Sequence, residues 1–262
     1  MFNQFKNKLL LAVLTFTCNL SYCQEVQKIN FEDIKYRNVG PTRGGRSTSV
    51  CGVIKNQFTF YMGTSGGGLW KTIDGGLSWN NISDGYFESP SIGSIDVFQS
   101  NPDIIYVGTG SDGIRSNVIV GKGVYKSLDA GKSWKFIGLK SAGQIGAIKV
   151  HPKNPDIVYA AAIGQPFKQN TERGLFKSID GGKNWKKILY ISDKIGIVDM
   201  EFSPDDPNTI YAASWEVNRK PWTIMSGSKD GGIYKSVDGG QSWTKLFKGL
   251  PKGNIGKIDL AT

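Results

Sequence analysis

The chain has 262 residues, including 34 glycines and seven tryptophans, with 21% charged residues and a net charge of +10. A disordered chain or a coiled coil has no use for so many turn formers and regularly placed aromatics, so both classes are excluded. The single histidine, His151, excludes chemistry that needs several imidazoles, such as the helical zinc-protease motif or a tri-His metal site.

Residues 1–23 place Lys6 and Lys8 ahead of the apolar run Leu9 to Phe16, and a polar stretch then ends in Ser21-Tyr22-Cys23. This is the order of a secretory signal peptide, and small Ser21 and Cys23 predict cleavage after Cys23. The apolar run falls short of the roughly 20 residues that a spanning helix needs. The mature chain, 24–262, is therefore expected to be exported without a transmembrane segment, to the periplasm, the cell surface or the medium. A lipoprotein modified on Cys23 is the rival reading, which bulky Tyr22 fits badly. Cleavage leaves Cys51 as the one cysteine, so no internal disulfide is expected, and without a histidine beside it Cys51 reads as a small buried hydrophobe. It also leaves 30 basic against 22 acidic residues, a net charge of +8. Four of these lysines, Lys71, Lys126, Lys177 and Lys235, recur at one position of a repeat, so the charge is spread around the molecule; with export, this argues against nucleic acid as a partner.

The repeat is the main signal. Gly68 to Trp79, Gly123 to Trp134, Gly174 to Trp185 and Gly232 to Trp243 align without gaps on the form Ser/Thr-x-Asp-x-Gly-x-x-Trp. Its aspartates, Asp74, Asp129, Asp180 and Asp238, stand 55, 51 and 58 residues apart, a spacing suited to one four-stranded unit per repeat. Aromatic and aliphatic residues before the turn predict a strand, and the carboxylate can accept backbone N–H groups across the turn. Gly76, Gly131, Gly182 and Gly240 supply a positive φ, and Trp79, Trp134, Trp185 and Trp243 are expected to fold their rings beneath the turn. Ahead of the second, third and fourth motifs lie paired strand signals opening on Ile92-Gly93, Ile145-Gly146 and Ile195-Gly196, with Asn101-Pro-Asp, Asn154-Pro-Asp and Asp206-Pro-Asn as turns. The fold class read from this is all-β: a β-propeller of four-stranded antiparallel blades packed blade on blade. After the fourth motif, Gly249 to Leu260 repeats the opening of a blade, which predicts the start of a fifth and further blades of a longer parent chain as partners of these four.

The motif is similar to the Asp box, or BNR repeat, of sialidases, xyloglucanases and sortilin/Vps10 propellers. The chain also resembles a bacterial secreted family with sortilin-like N-terminal propellers, through Arg37 to Arg46, Gly66-Gly-Gly-Leu-Trp-Lys71 and Arg219-Lys-Pro-Trp222, over nearly all of residues 35–262. The resemblance implies an Asp-box propeller. It departs from the enzymes of the group: no Arg-Ile-Pro opening is present, and Thr64-Ser65-Gly-Gly stands where xyloglucanases carry a catalytic aspartate in Thr-Asp-x-Gly-Gly.

If strands run from the centre outward, the motif turns and the Asn-Pro-Asp turns share one face, and the variable loops gather on the other. That loop face is the expected binding face. It carries Arg43 and Arg46 from the first blade, Asp112 and Arg115 from the second, Glu172 and Arg173 from the third, and Trp215, Glu216, Arg219 and Trp222 from the fourth. Arginines beside aromatics suit a peptide, protein or glycan ligand through forked hydrogen bonds and stacking, whereas mutual pairing that pins the loops is the bland alternative. Two further readings stay open. Glycoside hydrolysis needs two carboxyl groups about 5 to 9.5 Å apart, for which Asp112, Glu172 and Glu216 are the candidates. A structural surface or assembly module needs no ligand. Gly63 to Gly68 lacks the Gly-Lys-Ser/Thr ending of a phosphate loop, the motif aspartates are consumed in their own turns, and no cofactor or metal motif is present.

Overall fold

The computed structural model describes residues 46–115 and 117–261. The signal-peptide reading and Arg43 fall outside them. The described chain is built of strands: β1 (Ser47–Val53), β2 (Asn56–Thr64), β3 (Leu69–Thr72), β4 (Asn80–Asn81), β5 (Ile92–Val97), β6 (Ile105–Thr109), β7 (Val124–Ser127), β8 (Lys135–Phe136), β9 (Gln144–His151), β10 (Asn154–Gly164), β11 (Gly174–Ser178), β12 (Lys186–Leu189), β13 (Ile195–Phe202), β14 (Ile210–Lys220), β15 (Thr223–Ser226), β16 (Gly232–Ser236) and β17 (Thr244–Lys245). They form four antiparallel sheets in the orders β1-β2-β3-β4, β5-β6-β7-β8, β9-β10-β11-β12 and β13-β14-β16-β17, with β15 added to the far end of β14. These are four propeller blades, and their inner strands β1, β5, β9 and β13 lie side by side in that order.

One apolar cluster fills each gap between blades, because strand pleating sends alternate side chains to opposite neighbours. On β6, Ile105 and Val107 pack toward the first blade, and Tyr106 packs toward the third. On β10, Val158, Ala160 and Ala162 face the second blade, and Tyr159 and Ala161 face the fourth. Both faces are buried, which is why this strand reads as an unbroken apolar run rather than as alternation.

Near the centre the repeated Ile-Gly pairs bring neighbouring blades into backbone contact. A Cβ on Gly93 would stand 2.0 Å from the Ile145 carbonyl oxygen, and one on Gly146 would stand 2.2 Å from that of Val198. Inner-strand carboxylates add a tie: Asp96 Oδ2 accepts the Val150 N–H of the next blade at 2.6 Å, and Asp199 Oδ2 accepts that of Leu260 at 2.8 Å. The Ile255 to Leu260 segment thus sits against β13 as β9 sits against β5, the place expected for a fifth blade's first strand. Cys51, half-buried beside the first cluster, has its thiol pushed up to about 11 by burial and then by Asp96, so it stays protonated.

The motif turns bond as the sequence implies. In the second blade Ser127 Oγ donates to Asp129 Oδ1 at 2.8 Å and accepts the Gly131 N–H at 2.8 Å, while Asp129 accepts the Ser133 N–H and hydroxyl at 2.9 and 2.6 Å. The other three turns repeat this around Asp74, Asp180 and Asp238, with φ of +97°, +92° and +92° at Gly76, Gly182 and Gly240 and +85° at Gly131. Each turn also donates a backbone N–H to the β-turn of its own blade, as Gly181 does to Asp156 and Gly239 to Asn208, which places both turn sets on one face.

The tryptophans reach further than expected. Trp134 Nε1 donates to the Ile82 carbonyl and Trp185 Nε1 to that of Ile137, at 2.8 and 2.7 Å, so these rings fasten their blade to the preceding one, while the Trp134 ring also lies 3.3 Å from a Cβ placed on Gly131 of its own turn. Trp243 bonds its own Gly240 while packing against the cluster shared with the third blade. Trp79 is half-buried, its ring lying 3.8 Å from a Cβ placed on Gly76. The repeated lysines reach the other way. Lys71 and Lys177 donate to the carbonyls of Ala130 and Gly239 in the next blade's turn, at 2.8 and 2.9 Å, and Lys126 pairs with Asp156 of the next blade at 3.8 Å. Each lies over a tyrosine of its own blade, Tyr61, Tyr159 and Tyr106 respectively, and burial pulls all three ammonium groups down.

Candidate functional site

On the face opposite the motif turns, β14 runs past its sheet and folds back at Pro221-Trp222 into β15, with pairs from Val217–Ser226 to Lys220–Thr223. Pleating divides its side chains. Trp215 and Arg219 point to one side of the hairpin and Glu216 and Asn218 to the other, so residues adjacent in sequence serve different surfaces.

The first side forms a cleft of about 860 Å³ between the hairpin, the 111–115 loop of the second blade and Lys257 of the terminal segment. Its floor is apolar: Ile114 and Trp215 are buried, and Ile224 is the exposed wall. Trp215 Nε1 donates to Ser226 Oγ at 3.0 Å and fixes the hairpin's closure. Arg219 ties loop to hairpin through Nε to the Arg115 carbonyl, 3.3 Å, and Nη1 to the carbonyls of Lys220 and Thr223, 2.6 and 2.7 Å. Asp112 accepts from Lys257 Nζ at 2.6 Å, and Asp259 stands on the same ammonium at 3.0 Å. Burial alone would pull Lys257 down; the two carboxylates outweigh it and hold it up.

The structure therefore brings Asp112, Arg115, Trp215 and Arg219 together and separates the rest. Arg46 is exposed and reaches the same loop by Nη2 to Asn117 Oδ1, 3.0 Å. Trp222 is 79% exposed at the hairpin tip, with Lys220 over its ring. Glu172 is half-buried and Glu216 lines a cavity on the hairpin's other side. Arg173 corrects the reading of it as a ligand contact. It is 1% exposed, and its guanidinium donates to the carbonyls of Ile163, Gln165, Lys168 and Val217. Burial drags it down to about 10, and its bonds hold the base of the hairpin against the third blade. Trp215 is likewise floor rather than a stacking surface. Lys257, Ile224 and Ser226 were not legible as site residues: Lys257 reads as part of a new blade, and the others depend on a hairpin that Pro221-Trp222 alone announces.

A family model described as sortilin, neurotensin receptor 3, matches residues 122–255, just over half of the chain. The chain belongs to the sortilin/Vps10 family. Among curated relatives, this Vps10-type chain is 23% identical over 241 residues to a xyloglucanase of Paenibacillus sp, covering 81% of this chain and 22% of that protein. It is 26% identical over 210 residues to a xyloglucanase of Acetivibrio thermocellus, covering 72% and 24%. The chain thus spans about a quarter of the length of these relatives. Solved structures agree on the fold: a GH74 enzyme of Niastella koreensis aligns with a TM-score of 0.57 at 19% identity, over 76% of this chain and 29% of that one. An ancestral GH74 enzyme aligns with a TM-score of 0.60 at 18% identity, over 83% and 26%.

Proposed function

We propose that the chain is part of an exported propeller that binds a peptide, protein or glycan ligand in the cleft between the 111–115 loop and the β14–β15 hairpin. The observation that carries this reading is convergence: parts of the second blade, the fourth blade and the terminal segment meet over an apolar floor. Arg115 is exposed at the wall and is the cation open to a ligand's anionic or hydroxyl groups. Exposed Trp222 and Arg46 extend the contact surface beyond the cleft.

Kinship with xyloglucanases supports a second reading, glycoside hydrolysis, in which acid and base are carboxyl groups across one cleft. The arrangement favours binding over hydrolysis. Among the described residues Asp112 is the one carboxylate lining the cleft and is held by Lys257, while Glu172 and Glu216 lie elsewhere.

A glycan array with a parallel polysaccharide-hydrolysis screen, run on the chain and on Arg115→Ala, tests this directly. Binding without turnover, weakened about tenfold in Arg115→Ala, is the expected result and corresponds to about 1.4 kcal/mol. Turnover lost on Asp112→Asn moves the assignment to the hydrolase. Silence on glycans with capture of a peptide keeps the cleft and names its ligand class, and a ligand indifferent to Arg115 and Trp222 removes the cleft from consideration.

A further inference from the structure

The hairpin that walls the cleft carries a strand edge unlike the outer edges of the blades. Open backbone at a sheet edge invites pairing with another chain, and proteins blunt it with very short strands or with lysines. The outermost strands of the four blades follow this rule: β4, β8 and β17 are two residues long, and β12 opens on Lys186 and Lys187. β15 does not. It runs uncharged from Thr223 to Ser226, with Ile224 and Met225 43% and 57% exposed.

The pairing register shows which groups are open. Gly227 donates its N–H to the Glu216 carbonyl, so residues 223, 225 and 227 turn their backbone groups toward β14, and residues 224, 226 and 228 turn theirs away. Ser228 uses both of its groups, donating to the Ile255 carbonyl at 3.2 Å and accepting the Ile255 N–H at 2.9 Å. A ladder continued from there would set Lys257 opposite Ser226. Instead the terminal segment leaves to follow β13, where Asp199 takes the Leu260 N–H, and Ser226 and Lys257 stand on separate walls of the cleft. The N–H and carbonyl groups of Ile224 and Ser226 on this open edge have no partner among the described residues.

We infer that the cleft takes its ligand as an extended polypeptide strand added to the free edge of β15, hydrogen-bonded to the backbone of Ile224 and Ser226. This rests on the cleft reading and narrows its ligand to one class. Donors and acceptors recurring every second residue, about 6.8 Å along an edge, are complemented by another peptide backbone, whereas a glycan chain has no such ladder to return. A second copy cannot supply the strand from its own β15, because that edge is walled by the same cleft. Side chains of the added strand meet the apolar floor of Ile114 and Trp215, and an acidic one meets Arg115, since Lys257 is already held by Asp112 and Asp259.

A phage-displayed library of random heptapeptides, panned on the full chain, supplies the probe without assuming its sequence. Enriched peptides are expected to carry aliphatic or aromatic side chains at alternate positions together with an Asp or Glu, and to bind saturably in calorimetry as synthetic peptides. Methylating their backbone nitrogens one at a time is the deciding step: losses of about tenfold or more are expected at every second position, with little change at those between. Ile224→Pro removes an open N–H and no bond to β14, and is expected to weaken the same peptides about tenfold. If that variant misfolds, the methylated peptides still decide, because they leave the protein untouched. A library that yields no peptide weakened by Arg115→Ala, or peptides that show no alternation on methylation, overturns the inference. A glycan weakened by Arg115→Ala and indifferent to Ile224→Pro overturns it while sparing the cleft, whereas ligands all indifferent to Arg115 remove the cleft itself.

Discussion

Asp129 and Asp96 show how one residue type acquires opposite pH behaviour from its surroundings. In the motif turns, hydroxyl, amide and backbone donors from the fourth residue on hold Asp74, Asp129 and Asp180 down to about 2 and lower Asp238 as well. Their stabilising contribution is complete above the ordinary carboxylate value and is lost as pH falls through it toward 2. Asp96 is different: burial raises it to about 6 despite the Val150 N–H, and burial raises Asp199 in the same sense. A carboxyl raised in the folded state favours folding most below its ordinary value, and that advantage disappears as pH rises through about 6. Melting temperature plotted against pH is therefore expected to rise from pH 7 to about 4 and to fall below it. Asp96→Asn should flatten the upper limb and leave the acid limb in place, and an unchanged upper limb would remove Asp96 as its source. At the serine of the turn the effect is not electrostatic. Ser127→Ala leaves the buried Gly131 N–H without its acceptor, a loss of about 1–3 kcal/mol in chemical denaturation, whereas exposed Leu128→Ala should be near neutral.

A blade is legible in sequence to the extent that its determinants are local. Four gapless motifs revealed the turns, the Ile-Gly pairs revealed the inner strands, and the interval between aspartates revealed the four-strand unit; all three depend on residues within a few positions of one another. What joins one blade to the next was illegible because the partners are some 50 residues away: Trp134 with Ile82, Trp185 with Ile137, Tyr106 with Pro155. The same limit applied to the loop face. Composition picked out Arg115, Arg219 and Asp112, but strand alternation placed Glu216 on the other side from Trp215, and burial made Arg173 a brace. Two substitutions test the element scale. Gly146→Ala drives a methyl group into the Val198 carbonyl, where backbone must move, and is expected to cost about 1–3 kcal/mol or more in urea denaturation. Trp185→Phe keeps an aromatic ring, though a smaller one, and leaves the Ile137 carbonyl without its donor, about 1–3 kcal/mol for the bond, and that loss should be absent from Trp222→Phe at the exposed tip.

At the scale of the molecule, four clusters hold every buried apolar side chain among the described residues except Ile195, three of them in the gaps between successive blades. The fourth gathers Ile114, Ile163, Val198, Trp215 and Val217 beneath the cleft, with Ile258 and Leu260 packed against it. A chain ending at Lys252 loses those two side chains, the Asp199 tie and the Lys257–Asp112 pair together. It is expected to be less stable by about 2–3 kcal/mol on the apolar area alone and to lose the cleft, readable as weaker ligand binding at temperatures where the truncated chain is still folded. The forward-reaching lysines and backward-reaching tryptophans have a consequence for synthesis. On the ribosome the second and third blades find the carbonyls for Trp134 and Trp185 waiting on the blade before them, but the turn that each blade's own lysine needs has yet to be translated. Lys71, Lys126 and Lys177 therefore fall into place one step behind the growing chain, each capture completing the previous joint, and assembly acquires a direction that the finished, repetitive structure no longer displays.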